Sequence, residues 1–109
     1  MTDSAVSTVS RSVHLLSRPV GVPTRDDFAV VEAPIPALGS GELLVRSLVM
    51  SVDPYMRSRM NDAKSYAPPF ELDQPMTGGA VGVVVAANAS RIPVGATVLH
   101  WQGWRDYAV

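Results

Sequence analysis

Residues 41–60 read GELLVRSLVMSVDPYMRSRM and change character at Asp53-Pro54, and that change decides how the rest of the chain is read. From 42 to 52 the residues are apolar or β-branched, interrupted only by Arg46, Ser47 and Ser51, which predicts a long strand largely buried by its neighbours. Pro54 has no N–H to donate, pushes Asp53 toward extended geometry and presets its own φ for a helical turn. Asp53 is therefore expected to be the N-cap of a short helix over 55–60, with Met56 and Met60 on one face. Tyr55 stands at the strand-to-helix corner, where a loop carries side chains on a rigid base.

Working outward, 109 residues leave room for one domain with a modest core. Nine basic and ten acidic residues give a net charge of −1, with no electrostatic reason to expect a nucleic acid or an anionic membrane as partner. Without cysteine there is neither a disulfide scaffold nor a thiolate metal site, and the cytoplasm is the default compartment. The longest uncharged apolar run, 80–87, is far too short to span a bilayer as a helix.

In chain order, residues 1–10 are rich in Ser and Thr without periodicity and read as a disordered tail. Strands are expected over 11–16 and 28–32, separated by a loop punctuated by Pro19, Gly21 and Pro23, and followed by an extended Pro-rich connection over 33–41. Beyond the Tyr55 corner, residues 61–74 form a polar loop with Pro68-Pro69, of a length that usually serves as a lid, a binding loop or a disordered excursion. Residues 75–87 are the most β-prone run, and their three glycines predict a bulge or a close backbone approach. Segments 96–101 and 104–109 read as two strands of a hairpin turning at Gln102-Gly103. The sum is an all-β barrel or sandwich with one brief helix.

Few residues invite chemistry. The cluster Gly78-Gly79-Ala80-Val81-Gly82 is not a dinucleotide loop, because it runs on into Val83-Val84-Val85 as strand rather than opening a helix. His14 and His100 have no carboxylate at ligand spacing and read as satisfied core or edge histidines. Arg57 and Arg59 read as solvated helix residues, Trp101 and Trp104 as core or interface, and Met56, Met60 and Met76 as adaptable apolar walls. By residue type alone, Tyr55 is a half-buried brace whose hydroxyl meets a backbone carbonyl.

Three stretches carry a resemblance: residues 41–60, then 76–85 (MTGGAVGVVV), then 93–109 (PVGATVLHWQGWRDYAV). Together they closely resemble the N-terminal, GroES-like part of zinc-free medium-chain dehydrogenase/reductases, in the prostaglandin-reductase and curcumin-reductase-like branch. The most specific element is Val52-Asp53-Pro54-Tyr55-Met56-Arg57. The resemblance implies a mainly β, partly open GroES-like barrel over residues 11–109, with one short helix after the long central strand. It also implies that a nucleotide-binding Rossmann domain belongs to the same enzyme, outside this chain.

The activity so implied is NADPH-dependent reduction of the C=C bond of an α,β-unsaturated ketone or aldehyde, of enone, alkenal or quinone-reductase type. NADPH would be bound mainly by the other domain. Zinc-dependent relatives carry a cysteine and a Gly-His-Glu where this chain has Ser51-Val52-Asp53 and Gly78-Gly79-Ala80, so no catalytic metal is expected. Tyr55 corresponds to a cleft-lining tyrosine and becomes the candidate catalytic residue, donating to the substrate carbonyl or shaping the pocket. Asp53 and Pro54 would sit near the nicotinamide edge. Met56 and Gly79 would join Tyr55 in binding substrate, Gly79 leaving space where zinc enzymes carry a ligand. A small-molecule enone or quinone and a homo-oligomeric assembly are the partners expected. A stand-alone GroES-like binding or scaffold module without catalysis stays open beside this reading.

Overall fold

A computed structural model describes residues 9–62 and 68–109. The chain forms β1 (Val9–Leu15), β2 (Phe28–Pro34), β3 (Leu43–Met50), α1 (Tyr55–Arg59), β4 (Ala80–Ala87), β5 (Thr97–His100) and β6 (Tyr107–Ala108). The mainly β class, with a single short α-helix among the described residues, is as expected. β1 begins at Val9, so the first strand takes in two residues read as tail, while residues 1–8 lie outside the described part.

Among the described residues there are two sheets, β1-β2 and β5-β4-β3-β6, with every named strand pairing antiparallel. They are stitched together along the free side of β1. The Val13 N–H donates to the Trp104 carbonyl at 2.8 Å, the Asp106 N–H donates to the Arg11 carbonyl at 2.8 Å, and Ser12 bridges Arg105. Backbone pairing therefore runs from β2 through β1 and the approach to β6 into β3, β4 and β5. This curled sheet has β2 and β5 at its two ends, which is the partly open form of a barrel.

The expected hairpin over 96–109 does not form. β5 pairs with β4, and β6 pairs with β3 on the opposite side of the sheet. Between them the chain crosses under Gly78: Gly78 N–H donates to the Trp101 carbonyl at 3.2 Å, and Gly103 N–H donates to the Gly78 carbonyl at 3.0 Å. Trp104 then takes a positive φ of 64°, which redirects the chain away from β5. Local alternation suggested a hairpin, but the two long strands β3 and β4 offered better partners.

The main core cluster joins Leu15, Met56, Met60, Phe70 and Met76, each at most 7% exposed, with Val13, Phe28, Tyr55 and Trp104 packed against it. Methionine suits this place because its flexible thioether fills the irregular space between a helix and the end of a sheet. β3 is buried only in its first half. Leu44 and Val45 are 4% and 6% exposed, whereas Leu48, Val49 and Met50 are 56%, 64% and 37% exposed, because β6 covers only Val45 and Arg46. A bulge between Ser47 and Val49 meets Gly82 on β4, where an added Cβ would come within 2.5 Å of the Arg46 carbonyl oxygen. The glycine-rich run thus serves close backbone approach, as its composition implied.

Residues 68–74 of the long loop are pinned. Phe70 is 4% exposed, its N–H donates to the Arg59 carbonyl at 2.7 Å, and the Asp73 N–H donates to the Leu15 carbonyl at 2.7 Å. Residues 63–67 lie outside the described part. Among the described residues no helix is long and apolar enough to cross a membrane.

Candidate functional site

β3 stops at Met50 because Ser51, Val52 and Asp53 swing out toward Pro54, whose φ of −58° and ψ of −33° already belong to the helix. The helix therefore starts on Pro54 rather than after an Asp53 cap. The Asp53 carboxylate instead accepts the Ser51 hydroxyl proton at 2.8 Å, while its carbonyl accepts the Met56 N–H at 3.0 Å. A serine two residues earlier competed successfully for the carboxylate, which leaves Asp53 tethered at the mouth of β3.

Beside Asp53 the curled sheet opens a broad groove of about 470 Å³, lined by Val49, Met50 and Ser51 from β3 and its end, Gly79 to Val81, and Leu99 and Trp101. Its floor is apolar, and among the described residues Asp53 is its one charged wall. Three chain segments come close enough to build it because glycines stand at the crossing. The Ser51 N–H donates to the Gly79 carbonyl at 2.8 Å, and a Cβ on Gly103 would lie 3.0 Å from the Gly78 carbonyl oxygen.

Asp53 and Gly79 thus both line this one groove. The space above Gly79 is not empty, however. A Cβ there would come within 3.2 Å of the Trp101 ring, so the indole occupies the opening that a missing metal ligand was expected to leave. Met56 is only 2% exposed and lies in the core, where its Cε fills the room beside Gly78; it backs the wall and presents no surface to a ligand. Tyr55 is partly buried against the core at the helix start and is not part of the groove lining. Among the described residues its hydroxyl has no hydrogen-bond partner, so the expected tie to a backbone carbonyl is not made.

The arginines of α1 do more than face solvent. Arg57 grips the loop between β1 and β2, donating from Nη2 to the Pro19 carbonyl at 3.0 Å and from Nε and Nη2 to the Gly21 carbonyl at 3.0 and 2.9 Å. Arg59 donates to the Pro68 carbonyl at 2.8 Å and lies 4.3 Å over the Phe70 ring. They fix the corner that carries Tyr55. Sequence reasoning missed both, because their partners are backbone carbonyls 36 and 9 residues away. It also missed Trp101, 67% exposed at the rim of the groove; its place at a strand end beside Gln102-Gly103 was the available signal.

His100 closes the far side of β5. Its Nδ1 accepts the Gln102 N–H at 3.0 Å, which puts the proton of the neutral ring on Nε2, facing the Ser47 hydroxyl at 3.4 Å. Burial, and then the positive charge of Arg105, hold its pKa below the ordinary histidine value. His14 pairs with Asp73 at 3.3 Å and the Ser12 hydroxyl at 3.0 Å. Among the described residues no group of three or more His, Cys, Asp or Glu is placed to hold a metal ion.

Residues 11–109 match the family model described as the N-terminal domain of oxidoreductase. The chain is 41% identical over 95 residues to the NADPH-dependent curcumin reductase of Escherichia coli (strain K12), covering 87% of this chain and 28% of that protein. It is 37% identical over 90 residues to prostaglandin reductase 1 of Bos taurus, covering 83% of this chain and 25% of that one. Among solved structures it superposes on CurA from Vibrio vulnificus with a TM-score of 0.87 at 52% identity, covering 91% of this chain and 29% of that one. The same protein has been solved in complex with NADPH, with a TM-score of 0.86 at 51% identity. The chain spans under a third of the length of each of these relatives.

Proposed function

The chain belongs to the family of oxidoreductase N-terminal domains, and from that premise we propose that it is the substrate-side, GroES-like domain of an NADPH-dependent enzyme reducing the C=C bond of enones or alkenals. A Rossmann domain elsewhere in the protein completes the enzyme, which works without zinc, in the cytoplasm, as a homo-oligomer. The observation that carries this reading is the groove itself, an apolar wall that includes both Asp53 and Gly79.

The groove suits the nicotinamide end of a dinucleotide and not its phosphates. Its floor can cover a flat ring, Asp53 borders it with Pro54 next in the chain, and among the described residues no cation lines it to meet a pyrophosphate. When bound, the reduced dinucleotide supplies the hydride. The chain's own residues orient the enone and exclude water along the Val49, Met50 and Leu99 wall. Tyr55 stands outside this lining, at the helix start beyond Asp53 and Pro54; its hydroxyl has no hydrogen-bond partner among the described residues and is the donor offered to a substrate carbonyl that extends past the groove toward α1.

The test is NADPH consumption by the full-length protein with benzylideneacetone, before and after exhaustive chelation. Turnover that survives chelation is expected. No consumption with any aryl or alkyl enone, or recovery only on adding zinc, would overturn the reading.

A further inference from the structure

We infer that Trp101 is a specificity-determining residue of the groove, a platform that favours substrates whose double bond is conjugated to a flat aryl group over those carrying a non-planar aliphatic one. This rests on reading the groove as the enone site.

The structural work at this position is done by the backbone, since the Trp101 carbonyl accepts the Gly78 N–H at 3.2 Å and any residue could supply it. The side chain is 67% exposed, an unusual placement for so large an apolar surface unless something covers it. It is nevertheless positioned. Cζ3, Cε3 and Cη2 would lie 3.2, 3.6 and 3.9 Å from a Cβ at Gly79, so the six-membered part of the indole rests against the glycine and any larger residue there would displace it. Its neighbours in the groove, Val49 and Leu99, are 64% and 66% exposed and apolar. A ring seated on backbone, edged by aliphatic side chains and open to the groove offers stacking to a planar conjugated ligand. It offers an aliphatic one only area.

The experiment compares benzylideneacetone with its cyclohexyl analogue, which has the same carbon count but no flat ring, on the full-length protein. In Trp101→Leu the phenyl-over-cyclohexyl ratio of kcat/KM should fall about three- to tenfold, and Trp101→Phe should keep most of it. An unchanged ratio, or an equal fall for both substrates, overturns the inference while leaving enone reduction standing. Calorimetric binding of the two probes in the presence of NADP⁺ gives a readout independent of turnover. If neither probe is reduced yet the phenyl compound binds more tightly and loses that advantage in Trp101→Leu, the enone-reductase reading fails and the platform stands. If neither binds, both fall.

Discussion

Single residues in this fold sort by what their neighbours can yield. Gly82 and Gly78 each leave 2.5 Å to the nearest atom for an added Cβ, but that atom is the Arg46 carbonyl oxygen at Gly82 and the Met56 methyl at Gly78. Backbone in a bulge cannot retreat, and a thioether can. Gly82→Ala should therefore lose roughly 1–3 kcal/mol of stability in urea unfolding, and Gly78→Ala distinctly less. Tyr55 is a cleaner probe of chemistry. Because its hydroxyl makes no hydrogen bond among the described residues, Tyr55→Phe should leave the urea midpoint unchanged. If the phenol serves the carbonyl, kcat/KM for an enone drops by roughly one to two orders of magnitude. An unaltered kcat/KM would make the residue a packing aromatic.

At the scale of elements, α1 is only five residues long, too short to be stable by itself, and is held by its side chains. Arg57→Ala removes the donors to Pro19 and Gly21 and should cost about 1–2 kcal/mol. Hydrogen exchange should rise in residues 19–23. Arg57→Lys should not restore protection, because a point charge cannot span both carbonyls. The end of β5 depends on protonation. His100 in the folded chain titrates below 6.5, so the folded state prefers the neutral ring that accepts the Gln102 N–H. That contribution is present above pH 6.5 and is lost as pH falls through the folded value. The Tm of the native protein should decline on acidification below 6.5 more steeply than that of His100→Gln, and parallel curves would remove His100 from the account.

For the whole molecule, the curled sheet leaves the outer sides of β2 and β5 without strand partners among the described residues, and it exposes Leu48, Val49, Val52, Leu99 and Trp101. Open edges and apolar surface both favour association. The 109-residue chain by itself should form dimers or larger species at high concentration in light scattering. Leu99→Glu should shift it toward monomer, and a strictly monomeric wild type would show that these surfaces are not adhesive.

The features that the sequence determined by itself are those written in contiguous residues. The turn from strand to helix at Asp53-Pro54, the burial of Met56 and Met60 on one side of that helix and its end, and the close approach at the glycine-rich run follow from proline's missing donor, helical spacing and the absence of a Cβ, although the strand itself stops at Met50, three residues earlier than Asp53. The corner motif was specific enough to point to the family. Partner choice was decided only in three dimensions. Whether residues 104–109 fold back on β5 or cross to β3 depends on which strand edge is free, and that is set by pairings across more than 60 residues. The same holds for Arg57 and Arg59, whose acceptors are backbone carbonyls indistinguishable in sequence, and for Asp53, taken by Ser51 rather than by the helix. Trp101 reads like any strand-end aromatic until the tertiary structure sets it against Gly79 and leaves it open to the groove, because burial belongs to the assembled sheet and not to the residue.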